Sequence, residues 1–403
     1  MAKIIPLVGW VQLPGAAAAA TPAIDISNLP AGLGGEPAFV DAFVLRFTVI
    51  DTGAGGAAAV SHRMLGTLIP QVQLRSAVYG DLFGTGITGS DLWSWIAPYM
   101  GWGGDSCRGH IPSPCGFVAA GGALTRNFDL ILPFKNFRLA EPSDTSLPTV
   151  GFRGDTIQCT LGAAGVFGAN HNIAANVTCT PYAILSTKKE RRVPSVAHWG
   201  MDTSANAIMT TPGRPFGFVG LCSNLGGLGG PAAVNGYTAI TVSRNDVFSG
   251  IGMTPEIAME AFMHSHNGIV QSGILLDTVA GGGGVAGSLD WPYLNTAAFN
   301  LLGNALDATT LVLPVLWEDF GQKLSQISTS PESLKIETAG IAGVHRILYR
   351  AYAVQTAEFA GRMSGLYGLR NPVVRPKLLK PPRNASRGVK PQKLALVPYS
   401  LGE

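Results

Sequence analysis

The sequence predicts an all-β fold built from two similar modules, and three observations support this prediction. Charged residues make up only 13% of the 403 residues, while apolar residues make up 46%, so large cores are available. The 52 Gly and 27 Pro suit many short strands joined by turns. Residues 129–134 (DLILPF) are echoed by residues 310–315 (TLVLPV), each after a Gly-rich loop. A chain of this length exceeds a single core, so two tandem modules are expected.

The first module is predicted from alternating strands. In residues 43–49, the odd positions are large and apolar while Arg46 and Thr48 face away. Ser90 is predicted to cap a short helix that carries Leu92 and Ile96 together with two tryptophans. The other strands predicted in this half are 68–75, 128–134, 156–161 and 176–185.

The second module is predicted to follow a junction at residues 187–212, because the charged run 188–192 breaks the strand pattern. A helix is expected to open at Thr254-Pro255-Glu256 and to end near His264. Strands are predicted at 237–244, 311–317, 333–337 and 345–353. The predicted domains are an N-terminal arm (1–36), a first module (37–200), a second module (201–369) and a C-terminal arm (370–403).

The cysteines and the N-terminus exclude some protein classes. Five cysteines without a CxxC pair indicate neither a disulfide framework nor a zinc ribbon. Cys159 and Cys179 are predicted to be buried thiols that pack as small apolar side chains. Pro6, Gln12 and Pro14 interrupt the apolar start, which argues against a signal peptide. No segment has the roughly 18 uninterrupted apolar residues of a transmembrane helix.

The C-terminal arm carries segregated basic charge. Its Pro-rich sequence contains no acid between residues 370 and 393, whereas the whole chain has a net charge of only +3. We expect an extended, polyproline-like arm. Its basic residues are the candidate contact site: Arg370, Arg375, Lys377, Lys380, Arg383, Arg387, Lys390 and Lys393.

The sequence resembles the double jelly-roll major capsid proteins of tailless, internal-membrane icosahedral viruses, the lineage of bacteriophage PRD1 and adenovirus. The resemblance depends on the chain length, the duplicated modules, and the opening strand at 43–49. It also depends on the tryptophan-bearing helix at 90–96, the Leu132-Pro133-Phe134 segment and the junction at 188–194. These features are diffuse patterns that span nearly the whole chain.

The resemblance implies two tandem eight-stranded jelly-roll β-sandwiches with short helices in the loops. It implies a homotrimer that tiles a virion shell, contacts neighbouring capsomers and minor capsid or vertex proteins, and is made in the host cytoplasm. No cofactor, metal or enzymatic activity is expected. Both termini, 1–13 and 370–403, would lie on the inner side, and loops 98–122, 211–236 and 281–299 would project outward.

The role of the basic arm stays open between three alternatives, which are contact with lipid or a neighbouring capsomer, binding to the genome, and no partner. The arm would contact lipid headgroups of an inner membrane, where each basic residue contributes about 1 kcal/mol, or a neighbouring capsomer. Binding to genome phosphates is a further alternative, but direct genome contact is not expected because a membrane intervenes in the resembled viruses. The third alternative is a solvated tail without a partner.

Few motifs favour other functions. Residues 84–89 match GxGxxG, but no βαβ unit surrounds them, as a dinucleotide site requires. His264 and His266 would suit a two-domain cupin-like metalloenzyme, although no glutamate follows within ten residues. His110 between Cys107 and Cys115 matches no common metal motif. A secreted carbohydrate-binding sandwich and a minor vertex or spike protein are the remaining alternatives.

Overall fold

The structure is a computed structural model that describes residues 2–202 with gaps and, beyond them, the backbone of nine strands. Beyond residue 202, side chains are described only at Leu348 and Arg350. Up to residue 205, the description leaves out residues 15–21, 55–67, 93–95, 98–99, 103–117, 138, 140, 168–169, 174, 188–195 and 203–205.

Twelve strands are described in the first half of the chain. They are β1 (Lys3–Pro6), β2 (Trp10–Gln12), β3 (Ala23–Asp25), β4 (Gly32–Leu33), β5 (Glu36–Gly53), β6 (Gln71–Ser76), β7 (Gly80–Phe83), β8 (Ala123–Pro133), β9 (Leu147–Pro148), β10 (Thr156–Thr160), β11 (His171–Asn172) and β12 (Val177–Thr187). A short α-helix covers Gly89–Asp91, and two 3-10 helices cover Pro142–Thr145 and Thr149–Phe152.

Eight of these strands form a jelly roll. One antiparallel sheet has the order β1–β12–β5–β8 and the other has the order β3–β10–β6–β7. When these eight strands are numbered 1 to 8 along the chain, the strand order is 1–8–3–6 in one sheet and 2–7–4–5 in the other. Such a pair of sheets with long crossing connections is the jelly-roll sandwich.

The second half of the chain repeats this topology. Its strands are β13 (Ala197–Asp202), β14 (Asn206–Met209), β15 (Gly213–Ser223), β16 (Ala239–Arg244), β17 (Ile251–Met253), β18 (Ile274–Thr278), β19 (Val285–Leu289), β20 (Thr310–Val315), β21 (Leu334–Ala339) and β22 (Val344–Ala353). The pairing orders are β13–β22–β15–β20 and β14–β21–β16–β17, while β18 and β19 form a separate hairpin. The same strand order therefore occurs twice, and the prediction of a double jelly roll is confirmed.

The repeated Leu-x-Leu-Pro segment occupies the same place in both modules. In the first module, Pro133 of β8 lies opposite Ala42 of β5, which lies opposite Ile184 of β12. In the second module, Pro314 of β20 pairs with Val219, which pairs with Leu348. Both proline-bearing strands lie at a sheet edge, where the missing N–H breaks no ladder. The register thus identifies Ile184 and Leu348 as equivalent positions.

The first module has an aromatic core between its two sheets. The core side chains of β5 are Phe43, Leu45, Phe47 and Val49, which are fully buried as their alternation predicted. The Phe43 ring meets Phe134 at 5.6 Å and Phe152 at 5.5 Å between centroids. These contacts connect β5 to the segments that follow β8 and β9.

Several sequence predictions need correction. The helix N-cap is Thr88 and not Ser90, because the Thr88 hydroxyl accepts from the Asp91 N–H (3.1 Å) and Asp91 accepts from the Thr88 N–H (2.8 Å). This capping box satisfies donors that a helix start leaves free. Residues 213–223 form the central strand β15, so the prediction of an outward loop is wrong there.

Strands also occur where an arm and a junction were predicted. β1 and β2 lie within the predicted N-terminal arm and pair with β12 of the same chain. β13 and β14 lie within the predicted junction, and β13 crosses the predicted domain boundary at residue 200. The helix predicted from Thr254 lies outside the described residues.

Cys159 and Cys179 are buried free thiols, as predicted. Burial raises the pKa of Cys179 to about 12. Burial, with the neighbouring Cys179 as a smaller cause, also raises the pKa of Cys159 well above its usual value.

We expect neither Cys159 nor Cys179 to react with iodoacetamide in the native protein at neutral pH, because the thiolate is the nucleophile. Peptide mass spectrometry after alkylation would measure this, and the same two peptides after alkylation in denaturant provide the control. Substantial labelling of either residue in the native protein would contradict their burial.

Candidate assembly surface

Most of the predicted site residues lie outside the described residues. This applies to the eight basic residues of the arm, and to His110, His264 and His266. In the part of the chain that is described, no group of three or more His, Cys, Asp or Glu side chains is placed to hold a metal ion. No helix among the same residues is long and apolar enough to cross a membrane.

The two modules meet edge to edge through β7 and β13. Phe83 and Trp199 are parallel partners, and the Gly84 N–H donates to the Trp199 carbonyl oxygen at 2.9 Å. This pairing joins the β3–β10–β6–β7 sheet of the first module to the β13–β22–β15–β20 sheet of the second. One continuous eight-stranded sheet therefore runs through both modules.

A side-chain hydrogen bond accompanies this pairing. His198 Nδ1 donates to the Asp81 carbonyl oxygen at 2.8 Å. Burial lowers the pKa of His198, although the Asp81 hydrogen bond and charge oppose this. Burial likewise raises the pKa of the Asp81 carboxyl, against the opposing effect of Arg75, whose Nε lies 3.5 Å away. The neutral imidazole suits this contact because its N–H needs only a carbonyl acceptor.

The GxGxxG segment is a packing site for the second module. Gly86 has a φ of 90°, in the left-handed region that side chains rarely adopt. A Cβ atom built at Gly86 would collide with the Met201 Cε atom. At the end of the segment, the Gly89 N–H donates to the Ile69 carbonyl oxygen. The glycines thus serve a turn and a close approach, and the described residues around them form no βαβ unit of the kind that binds phosphate.

Gly86→Ala is expected to lower the free energy of unfolding by about 1–3 kcal/mol, since it adds left-handed strain and displaces Met201. Gly121→Ala is the matched control, because Gly121 has a φ of 69° but nothing within 4 Å of the added Cβ atom. Thermal unfolding of both variants would measure the difference. Equal losses would show that the Met201 contact contributes nothing.

The outer face of β13 and β22 is buried against the first module. Trp199 pairs with Arg350 and Met201 pairs with Leu348, so all four side chains share one face. Leu348 and Arg350 are completely buried. Arg350 Nη1 donates to the Met100 sulfur at 2.9 Å, and its guanidinium lies 5.5 Å from the Trp199 ring centroid. Gly86 and Met100 of the first module therefore lie against this face.

The equivalent face of the first module is open in the single chain. Ile4 of β1 pairs with Ile184 as Met201 of β13 pairs with Leu348. Ile4 is 64% exposed, whereas Met201 is partly buried against the core. Among the described residues, most of the exposed large apolar side chains lie along this N-terminal segment: Ile4, Val8, Val11 and Leu13.

A buried charged cluster is the other constellation that the structure brings together. Asp51 Oδ2 accepts from Arg126 Nη2 at 2.6 Å and from Arg126 Nε at 2.9 Å, and it lies 2.8 Å from His171 Nδ1. Asp51 and Arg126 are completely buried, so a substrate cannot reach them. Sequence analysis missed this cluster, although Asp51 continues the core-facing odd positions of β5.

The chain is similar to three solved viral structures. It matches the crystal structure of the STIV MCP with 10% identity and a TM-score of 0.48, covering 89% of this chain and 98% of that one. It matches a chain from the atomic structure of Sulfolobus turreted icosahedral virus with 9% identity and a TM-score of 0.46, covering 91% and 96%. For the major capsid protein P2 of bacteriophage PM2, the identity is 13% and the TM-score 0.44, covering 89% and 99%.

No family model and no curated protein matches the chain. The fold assignment comes from the strand order, which gives one complete jelly roll before residue 188 and another after residue 196. The chain is a double jelly-roll protein, and two of the solved chains to which it is similar, those of STIV and of bacteriophage PM2, are described as major capsid proteins.

Proposed function

We propose that this chain is a structural major capsid protein whose homotrimers tile an icosahedral shell over an internal membrane. The observation that carries the proposal is the repeated module. One module contact is made within the chain through β7 and β13, and the equivalent edge and face around Ile4 are left open. A protein that repeats one contact between like modules is suited to forming rings and layers.

The surface chemistry supports assembly. Charged residues make up 13% of the chain, about half of the usual share of roughly 25%. Surfaces of low charge suit the large apolar interfaces of obligate assemblies. The exposed apolar side chains of the N-terminal segment belong to such a surface.

A structural and not an enzymatic role is supported by how the described residues use their candidate chemical groups. The GxGxxG segment packs against Met201, and the Asp51 cluster is closed to solvent. For the basic arm at 370–393, we propose contact with inner-membrane headgroups or with a neighbouring capsomer, because its charges are segregated from the rest of the chain.

Particle composition and solution mass test this function. We expect the purified protein to have the mass of a trimer by light scattering and to show six-lobed particles in negative stain. In virions it should be the most abundant protein. A monomer at micromolar concentration that forms no particles would overturn the proposal. A few copies per virion would instead indicate a minor vertex or spike protein.

A further inference from the structure

We propose that the β1 edge and the Ile4 face of one chain bind the second module of another copy, with β17 lying parallel to β1 as β7 lies parallel to β13. The Ile4 face is defined by Ile4, Val11, Tyr182 and Ile184. This inference rests on the proposed self-assembly, and it names the surfaces and the orientation that the assembly uses.

The edge strands of the two modules are equivalent. β1 and β13 are each the first strand of a jelly roll and each pairs with the eighth, β12 or β22. β7 and β17 are each the fifth strand, at the edge of the other sheet, beside β6 or β16. The contact of β7 with β13 therefore joins a fifth strand to a first strand.

One fifth strand and one first strand are left over. In the described part of the chain, β1 pairs only with β12, and β17 pairs only with β16. An unpaired edge presents a row of N–H and C=O groups that serve as a template for another strand. The two open edges are of the same two kinds as the edges that already meet inside the chain.

Equivalent side chains of the two modules differ in their exposure. Met201 approaches Gly86 and packs against the core cluster of the first module, and Leu348 is a completely buried member of the same cluster. Their equivalents Ile4 and Ile184 are 64% exposed and half-buried, respectively. The same surface is thus apolar in both modules, but within a single chain only the surface of the second module is covered. The second module of another chain, lying in the same orientation, would cover the Ile4 face of the first module.

A contact between a fifth strand of one copy and a first strand of the next is head to tail, so it uses two different surfaces. Repetition of such a contact forms a closed ring when the rotation from one unit to the next is a whole fraction of 360°. Otherwise it forms an open filament. If the contact within the chain and the contact between copies each rotate the module by one sixth of a circle, three chains with six modules form the ring that the proposed function requires.

Ile4→Glu tests the apolar part of this surface. We expect this variant to lose trimers and to have the mass of a monomer at concentrations where the parent is trimeric, a shift of at least tenfold in the midpoint of association. Its thermal unfolding should change by no more than about 2 °C once both proteins are monomeric, because the side chain is exposed. Ile50→Glu is the control, since Ile50 is 39% exposed at the other end of the same sheet face.

Disulfide trapping tests the pairing of β1 with β17. In a background where Cys107, Cys115 and Cys222 are replaced by serine, Lys3→Cys is combined in turn with Ile251→Cys, Gly252→Cys or Met253→Cys. Neighbouring strands lie about 4.8 Å apart, within the range of a disulfide for Cα atoms. We expect one register to give covalent trimers under mild oxidation, while each single variant gives none.

The outcomes of these experiments separate the β1–β17 contact from the proposed function. Trimers that form without a cross-link in any register, or that persist in Ile4→Glu, would overturn the β1–β17 contact and leave the capsid proposal standing. A parent protein that is monomeric at micromolar concentration and forms no particles would overturn both. If Ile4→Glu still assembles but no longer binds vesicles that contain anionic lipid, the Ile4 face contacts lipid and the inference is wrong.

Discussion

Arg126→Met is expected to lower the free energy of unfolding by about 3–5 kcal/mol. The variant leaves the Asp51 carboxylate buried without the guanidinium that contacts it at 2.6 Å. Both side chains are completely buried between the sheets, so water cannot replace the lost partner. Denaturant unfolding of the full chain would measure the loss as a lower midpoint.

Arg46→Met is the matched control because Arg46 lies on the same sheet but faces solvent. It donates two hydrogen bonds of 2.8 Å to Asp129, and its side chain is 49% exposed. An exposed pair of this kind contributes about 0–1 kcal/mol, so the control should lose little stability. Similar losses for the two variants would show that burial does not determine the cost.

The double variant Asp51→Asn with Arg126→Met separates the charge from the packing. Removing both charges leaves no uncompensated carboxylate, so we expect it to be more stable than Arg126→Met alone. His171 still needs an acceptor at its Nδ1 atom, and the side-chain oxygen of the introduced asparagine would provide one. A double variant that is less stable than Arg126→Met would indicate that the cluster contributes more than charge compensation.

The first module was predictable wherever one strand face is buried and the other is solvated. The odd positions of β5 from Phe43 to Val49 are all buried, because a period of two places them between the sheets. The same periodicity places Asp51 and, on β8, Arg126 in the core. Charged residues are almost never fully buried unless they are paired, and only the pairing of β5 with β8 brings these two together.

Two strands of the second module were missed for identifiable reasons. β13 has only Trp199 and Met201 as alternating apolar residues, and it follows a charged run that indicates a junction. Its two large apolar side chains pack with the core cluster of the first module. β15 contains glycine at 213, 217 and 220 and proline at 215, which local propensity assigns to a loop. Tertiary pairing with β20 and β22 overrides that preference.

The duplication could be recognised from a six-residue repeat, but the way in which the two modules pair could not be predicted from it. Residues 129–134 and 310–315 indicated two modules, yet the sequence could not show which edges pair. Long-range pairing depends on the strand order, which local patterns do not encode. The jelly-roll order came from the resemblance to a family, and the structure confirms it through the two sheets of each module.

Phe152→Ala is expected to lower the free energy of unfolding by about 3–5 kcal/mol. The Phe152 ring is completely buried. Its centroid lies 5.5 Å from Phe43, 5.0 Å from Tyr79 and 5.7 Å from Phe134. Phe43 belongs to β5 of one sheet, and Tyr79 lies in the turn between β6 and β7 of the other, so the cavity would loosen the packing between the two sheets. Calorimetry should show the first module unfolding about 10 °C lower, at roughly 2–4 °C per kcal/mol.

Phe137→Ala is the control for this prediction. Phe137 follows the same β8 segment but is 48% exposed, and it contacts Trp102 at 5.0 Å and the Lys135 ammonium at 5.2 Å. Removal of this ring leaves no closed cavity, so we expect a loss below about 1 kcal/mol. Because Phe134 also meets Phe83 beside the module contact, Phe152→Ala should weaken the pairing of β7 with β13 as well. Hydrogen exchange at the Gly84 amide would show this as faster exchange, and unchanged exchange would confine the effect to the first module.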